Sequence, residues 1–462
     1  MYSRLYQVYW RIRGGEEAAR IIGYKRELEQ SQWLSPEALQ ELQLAKLQRL
    51  LAHAYEHVPF YRQRFAVAGL HPRNIETLTD LRRIPILTKR DVQTHLNDLV
   101  ATNCNRTQLR RNATGGSTGV TTVFYQDAES QAYHIASKLR YQKWYGFELG
   151  DKRAFLWGAA RDVPSMSLRA RLGLKLKRER WLNSYGVSVE SMKNFAQEMR
   201  AWNPSFLVGY SSSLYLFARF LRRHGLDGIH PRAIESSAEK LYDFQRELIE
   251  EVFGCQVLDA YGSREFGGLA AECKQHRGLH ILADVHYVEL IKNGQPVAEG
   301  DFGDIIVTDL HSYAMPLIRY QIGDLGRPQP GTCPCGRGFP LIAEIVGRSN
   351  AIVTTPSGRY VHGSFFSHLF YGLEEVQKFR VHQKSLTEVD VLIKSDDGLP
   401  PEKLEAIRRE MQDHLGGKVV LTFKFVDTIP PLPSGKLGYL VSDVPVDFAS
   451  GHSWLDEKEH SE

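Results

Sequence analysis

Between residues 153 and 310 short β-rich runs alternate with helical runs, and this alternation restricts the chain to an α/β architecture with much parallel sheet. RAFLWG (153–158), SFLVGY (205–210), CQVLDAYG (255–262) and GDIIVTDL (303–310) each supply a strand's length of apolar residues. Between them SSLYLFARFLRRHG (212–225) and LYDFQRELIEEVFG (241–254) carry apolar residues at three- and four-residue intervals, the period of an amphipathic helix. Upstream, Ser35-Pro36 and the run 41–58 predict a helix over about 35–70. At 462 residues the chain exceeds what one core usually holds, so two unequal domains are expected.

The texture changes near Gly347. GRSNAIVTTPSGRYV reads as a turn, a strand and a hairpin; a helix-like SFFSHLFYGL, strands at 378–383 and 388–395, a charged helix Pro401–Leu415 and a strand at 419–427 follow. The expected division is a domain over 1–346, a hinge at 347–350 centred on Asn350, a small α+β domain over 351–450 and a tail over 451–462.

A formal charge of +4 is too small for a dedicated nucleic-acid binder. A local basic run, Arg169, Arg171, Lys175, Lys177, Arg178 and Arg180, is either a solvated face or a dock for an anionic substrate, a CoA phosphate or a carrier protein. Five cysteines, an odd count in an enzyme-sized chain, point to the reducing cytoplasm rather than a disulfide scaffold. No stretch is long and apolar enough to span a bilayer, and Leu5, Val8, Tyr9 and Ile12 read as a helix packed on its own protein or lying on a membrane surface.

Five segments carry chemistry. In Thr114, Gly115, Gly116, Ser117, Thr118 and Gly119, glycines permit close backbone approach to an anion and hydroxyls add donors; no GK[ST] follows, so this is not a Walker loop. Taken alone it is equally a surface turn. Tyr261, Gly262, Ser263, Arg264 and Glu265 end an apolar strand, where α/β proteins bind ligands, with an aromatic to stack on a base, an arginine for phosphate and a carboxylate for Mg²⁺. The segments at 303–310 and 316–327 offer Asp309, Arg319, Asp324 and Arg327. Arg348 stands at the domain junction, and Lys436 sits on the Pro/Gly-rich loop PPLPSGKLGYL as a mobile point charge or a merely solvated lysine. Separately, Cys273, Cys333 and Cys335 with a histidine would complete a tetrahedral Cys₃His zinc site; His280 is the preferred fourth ligand and His276 the alternative.

In this order ATGGSTG, YGSRE, the Gly-Asp segment, VGRSN and PSGKLGY resemble the adenylate-forming superfamily of acyl-CoA synthetases, adenylation domains and luciferases. The phenylacetate–CoA ligase branch, with its capsule-associated members, is similar also in 47–65, 208–221, 236–254 and CPCGR, from about residue 38 to 445. The resemblance implies a large α/β domain with mostly parallel sheets plus a small mobile α+β domain. It implies ATP, Mg²⁺ and CoA as cofactor and co-substrates, a carboxylic acid as substrate and an acyl-AMP intermediate. Residues Thr114–Gly119 would hold the β- and γ-phosphates, Ser237, Ala238 and Glu239 the adenine site with Tyr261 against the base, and Glu265 the Mg²⁺. Asp324 and Arg348 would bind ribose, and Lys436 would bridge acid and α-phosphate. An acid pocket is expected around Val208, Gly209, Tyr210 and Ser211, with Trp144 and Tyr145 upstream.

Three departures stand out: Val120-Thr121-Thr122 replaces the Pro-Lys that often ends the first loop, Arg264 replaces a threonine, and Asn350 replaces a junction aspartate. Arg264 is expected on the α-phosphate. The competing expectations are adenylyl or acyl transfer to a non-CoA acceptor in polysaccharide or natural-product assembly, alongside a carrier protein or pathway enzymes, and a nucleotide-binding pseudoenzyme. A homodimer is compatible with either.

Overall fold

The computed structural model describes residues 2–113, 122–157, 168–183, 189–348, 352–362, 365–366, 369–370, 373, 375–430, 438–444 and 453–454. The chain divides into two compact units, one of residues 1–291, 296–322 and 326–345, the other of 292–295, 323–325 and 346–462.

The first unit opens with helices. Tyr2–Ser31 packs along Ala128–Trp144 and buries Ala18, Ile21 and Leu28. The helix expected over 35–70 is two helices, Pro36–His57 and Pro59–Val67. Ser35 caps the first by accepting from the Ala38 amide at 3.2 Å. Pro59 ends it, because the residue before proline is driven out of the helical region, and Val58 is extended at φ −112° and ψ 108°. Among the described residues no helix is long and apolar enough to cross a membrane.

A twelve-stranded sheet forms the body of this unit. At one end five strands run parallel in the order Glu179–Asn183, Arg153–Trp157, Phe206–Tyr210, Ala233–Ser237 and Val257–Ser263. Every residue of Phe206–Tyr210 is buried, as expected of a strand with both faces covered. The crossover helix Ser211–Arg223 turns Leu214, Phe217, Ala218 and Leu221 inward, an i, i+3, i+4, i+7 stripe. Helix Asp243–Phe253 ends at Gly254, whose φ of +65° supplies the left-handed cap.

Beyond Ser263 the sheet changes sense. Gly267–Glu272 pairs antiparallel with Val257–Ser263 and with Leu279–Ile281, which in turn pairs antiparallel with Leu341–Arg348. His286–Lys292 and Gly303–Asp309 are antiparallel as well. The expected parallel sheet is therefore the first five strands. Connections such as 264–266 are too short for a parallel crossover, which needs a dozen residues or more.

The second unit holds a four-stranded sheet in the order Val420–Phe425, Glu388–Lys394, Lys378–Ser385 and Leu440–Ser442. Glu388–Lys394 alternates, with Val389, Val391 and Ile393 buried, and helix Pro401–Leu415 adds Ile407, Met411 and Leu415 to the same core. Ile352–Thr354, Arg359–His362 and Ser453–Trp454 form a three-stranded sheet. The helix expected over 364–373 lies largely outside the described residues, as does most of the tail.

Candidate nucleotide-binding and catalytic site

The parallel strands end on one edge of the sheet, and their register brings the expected binding residues together there. Leu156 lies opposite Gly209, Tyr210 opposite Ser237 and Ser237 opposite Ala260. Segments 209–211, 237–239 and 261–265 thus share the carboxyl edge, the usual ligand edge of such sheets. Gly209 is required for this closeness, since a Cβ there would stand 3.1 Å from the Leu156 carbonyl oxygen and 2.9 Å from Leu214.

Hydrogen bonds knit the neighbouring strand ends. The Ser211 and Ser236 hydroxyls lie 2.7 Å apart, Ser211 donates to the Glu239 carbonyl at 3.1 Å, and the Ser212 amide donates to the Glu239 carboxylate at 3.0 Å. Ser237 donates to the Ala260 carbonyl at 2.8 Å. Between Ser237 and Glu239, Ala238 is held at φ +69°, a conformation a residue with a Cβ adopts only where its surroundings impose it. Lys240 then reaches Glu344, which also takes Arg327 at 3.1 Å, so the 237–240 turn is moored to the strand ending at Arg348.

Arg264, Glu265 and Phe266 form the tip of a hairpin between Val257–Ser263 and Gly267–Glu272. A register shift between Tyr261 and Gly262 bends it, and a Cβ at Gly262 would sit 2.1 Å from the Gly267 carbonyl oxygen, so only glycine fits. Glu265 is buried with its carboxylate accepting from the Tyr320 hydroxyl at 3.4 Å and its carbonyl accepting from the Gln126 amide at 3.2 Å. A buried carboxylate is a hard oxygen donor that suits Mg²⁺, which would offset the cost of that burial.

The glycine-rich segment 114–119, Asn350 and Lys436 lie outside the described residues. On either side of the first, Arg110–Ala113 pairs antiparallel with Val123–Gln126. Asp324 is half-buried within the strand Tyr320–Gln329, and Arg348 ends Leu341–Arg348.

Several expected residues have other employment. Asp309 is fully buried against His134 at 2.8 Å; burial would raise its carboxyl, but the imidazole outweighs burial and holds it at about 2. Arg319 is buried on Glu289 and on the carbonyls of Arg82 and Ile84. Trp144 lies away from Tyr210, its ring edge-on to His280 at 5.6 Å and its indole nitrogen on Gln32 at 2.8 Å. The aromatic beside Tyr210 is Trp157, with ring centroids 4.3 Å apart. Trp157 was legible as the last residue of the RAFLW strand; Gln126 and Tyr320 carried no sequence signal.

A second centre lies in the antiparallel half. The ligand atoms of Cys273, His280, Cys333 and Cys335 all fall within 4.8 Å of one another. Cys273 and Cys333 sulfurs are 3.6 Å apart, and Cys335 Sγ is 3.4 Å from His280 Nε2. A tetrahedron with zinc–sulfur bonds of about 2.3 Å has edges of about 3.8 Å, so the set fits zinc. His276 is excluded from the cluster by its partners, with Nδ1 3.3 Å from Glu272 and 3.2 Å from Arg246. Burial pushes the Cys273 thiol up to about 12, whereas at Cys335 the adjacent Arg337 outweighs burial and lowers it. Burial, then Arg337 and Arg140, hold His280 neutral at about 4, the state a metal ligand requires.

Solved structures of acyl-CoA ligases share this architecture. A 2-hydroxyisobutyryl-CoA ligase in its postadenylation state with an acyl-AMP aligns at a TM-score of 0.69 and 20% identity, over 93% of this chain and 92% of that one. The fold is that of the adenylate-forming enzymes. In sequence, the phenylacetate–coenzyme A ligase of Escherichia coli K12 is 33% identical over 328 residues, covering 68% of this chain and 72% of that protein. Protein CapK of Staphylococcus aureus is 23% identical over 419 residues, 87% of this chain and 89% of that one. Residues 353–443 match the CapK C-terminal domain. The chain belongs to the phenylacetate–coenzyme A ligase family.

Proposed function

We propose that this chain activates a carboxylic acid, an aromatic one in particular, as its acyl-AMP and passes the acyl group to CoA. One observation carries the reading: in a chain of this family, Gly209–Ser211, Ser237–Glu239 and Tyr261–Glu265 converge on one sheet edge beside a buried carboxylate. The acid's carboxylate oxygen attacks the α-phosphorus and pyrophosphate leaves. The CoA thiolate then attacks the acyl carbon and AMP leaves. Charge gathers on the phosphoryl oxygens in the first step, and fixed positive groups there lower the barrier.

In this reading Arg264 contacts the α-phosphate, Lys436 bridges it to the acid, and Thr114–Gly119 hold the β- and γ-phosphates. Tyr261 lies against adenine, and Asp324 and Arg348 take the ribose hydroxyls. Bound at Glu265, Mg²⁺ would neutralise charge on the triphosphate. The Trp157–Tyr210 pair supports an aryl acid, since two adjoining aromatic rings, tilted to one another with centroids 4.3 Å apart, favour a flat apolar group. Zinc at Cys273, His280, Cys333 and Cys335 is structural, because four protein ligands leave no open position. Asn350 serves as the hinge between residues 1–346 and 351–450.

A second reading is transfer to an acceptor other than CoA, because Asn350 stands where the resembled enzymes commonly carry an aspartate at the junction. Pyrophosphate release across a panel of carboxylic acids, with and without CoA, for wild type and K436A, separates the two. Acid-dependent release with thioester formation, lost in K436A, supports the first. Release without thioester supports the second, and no release with any acid rejects both in favour of a nucleotide-binding pseudoenzyme.

A further inference from the structure

Helix Ser211–Arg223 starts at the binding edge of the sheet with its cap supplied from another strand. Its N-cap residue is Tyr210, whose side chain makes no cap bond within the described residues, yet the first amides of a helix need acceptors. The Glu239 carboxylate provides one, accepting from the Ser212 amide at 3.0 Å, at the helix end where negative charge is stabilised. Ser211 returns a bond, its hydroxyl donating to the Glu239 carbonyl at 3.1 Å. The helix start is itself firmly seated: Leu214, one turn on, is fully buried, and a Cβ at Gly209 would stand 2.9 Å from it.

Immediately before Glu239, Ala238 is held at φ +69°. Its Cβ disfavours that region by a factor of about 5 to 30, and alanine lacks the short polar side chain with which asparagine or aspartate eases it. The conformation must therefore be imposed from both flanks. On one side Ser237 is fixed opposite Tyr210 and Ala260, with its hydroxyl on the Ala260 carbonyl at 2.8 Å. On the other, Glu239 is tied to the helix start and Lys240 to Glu344. The Glu239 carboxylate is the side-chain restraint nearest to Ala238 on that second flank, and it joins the turn after Ser237 to the segment Gly209–Ser211.

We propose that Glu239 is a positioning residue: its carboxylate caps helix Ser211–Arg223 from the neighbouring strand's turn and thereby holds Ala238 in the left-handed conformation that shapes the Ser237–Glu239 part of the nucleotide site. The inference rests on the reading of that turn as nucleotide-binding. It goes beyond that reading by giving the Glu239 side chain a task that needs no contact with the base.

The test is calorimetric binding of AMP to wild type, E239A, A238G and A238G/E239A, each with its melting temperature. E239A is expected to weaken AMP binding by about 5- to 30-fold. In the A238G background glycine adopts φ +69° unaided, and there the same change is expected to cost less than about 2-fold in affinity. The melting temperature should still fall in that background, because the helix has lost its cap. An equal loss of affinity in both backgrounds overturns the proposal and makes Glu239 a direct nucleotide contact. E239A with wild-type affinity overturns it as well. Should E239A alone fail to fold, A238G/E239A is compared with A238G, and a loss there larger than about 2-fold overturns it. Absence of AMP binding in wild type refutes the nucleotide-site reading itself, a result distinct from a silent E239A.

Discussion

The Tyr320 hydroxyl donates to Glu265 Oε1 at 3.4 Å, so a residue within the sequence's third chemical segment orients the carboxylate of its second. Both side chains are buried, and an unmade bond there costs about 1–3 kcal/mol. Y320F leaves the ring in place and removes only the donor. Its expected effect is a rise in the Mg²⁺ needed for half-maximal pyrophosphate release, with AMP affinity retained. An unchanged Mg²⁺ titration would show that Tyr320 is only a packing residue.

Gly262 is the least substitutable residue of the site. A Cβ there would lie 2.1 Å from the Gly267 carbonyl oxygen, backbone against backbone, with no rotamer to relieve it. G262A is expected to destabilise the first unit by roughly 3 kcal/mol and to displace the Arg264–Phe266 tip. Urea unfolding of G262A against wild type measures the first, and adenylation activity of the surviving folded fraction the second.

Much of this was legible in sequence, for reasons that particular residues make plain. The parallel strands declare themselves because both faces are covered and runs such as FLVGY are apolar throughout. The antiparallel half is less legible, since its strands are joined by short turns that any sheet could use. His280, preferred over His276 from the sequence, lies with the three cysteines, whereas His276 at φ +47° lies in the turn after Cys273 and pairs with Glu272 and Arg246. Trp144 and Tyr145 precede the RAFLW strand closely in sequence, yet Trp144 packs against His280, while Trp157 reaches Tyr210. The Gln126 and Tyr320 bonds to Glu265 cross 139 and 55 residues and follow no local pattern, so nothing short of the fold announces them.

The Cys₃His cluster is expected to hold one zinc per chain in protein purified without added metal, measured by inductively coupled plasma mass spectrometry. Its knuckle packs on the turn that joins Tyr2–Ser31 to Pro36–His57: a Cβ at Gly338 would meet the Leu34 carbonyl oxygen at 2.0 Å, and Arg337 lies over Trp33 in that turn and over Trp144, at 4.8 and 4.3 Å. Metal loss should therefore loosen that turn as well as the cluster. C333S is expected to lose the metal and lower the melting temperature by roughly 5–10 °C. Zinc content near zero in wild type would reject the site.

Acid should destabilise the first unit through His286. Burial pulls this imidazole down to about 4, against the opposing pull of Asp309, while Nε2 lies 3.1 Å from the Gly268 carbonyl oxygen. The unfolded chain titrates near 6.5, so between pH 6.5 and 4 it binds a proton that the folded state refuses. The stability that depends on this group is complete above pH 6.5 and is lost as pH falls towards 4, by at most about 3 kcal/mol. Asp309, held at about 2, stays ionised throughout that window, and His311, pushed down to about 3 by burial and then by Lys46, adds a slope of the same sign. Urea unfolding of wild type and H286Q at pH 7.5, 5.5 and 4.5 isolates the His286 share: H286Q should be the less stable at pH 7.5 and should lose less on acidification. Parallel pH profiles for the two proteins would show that His286 accepts its proton in the folded state as readily as in the unfolded one.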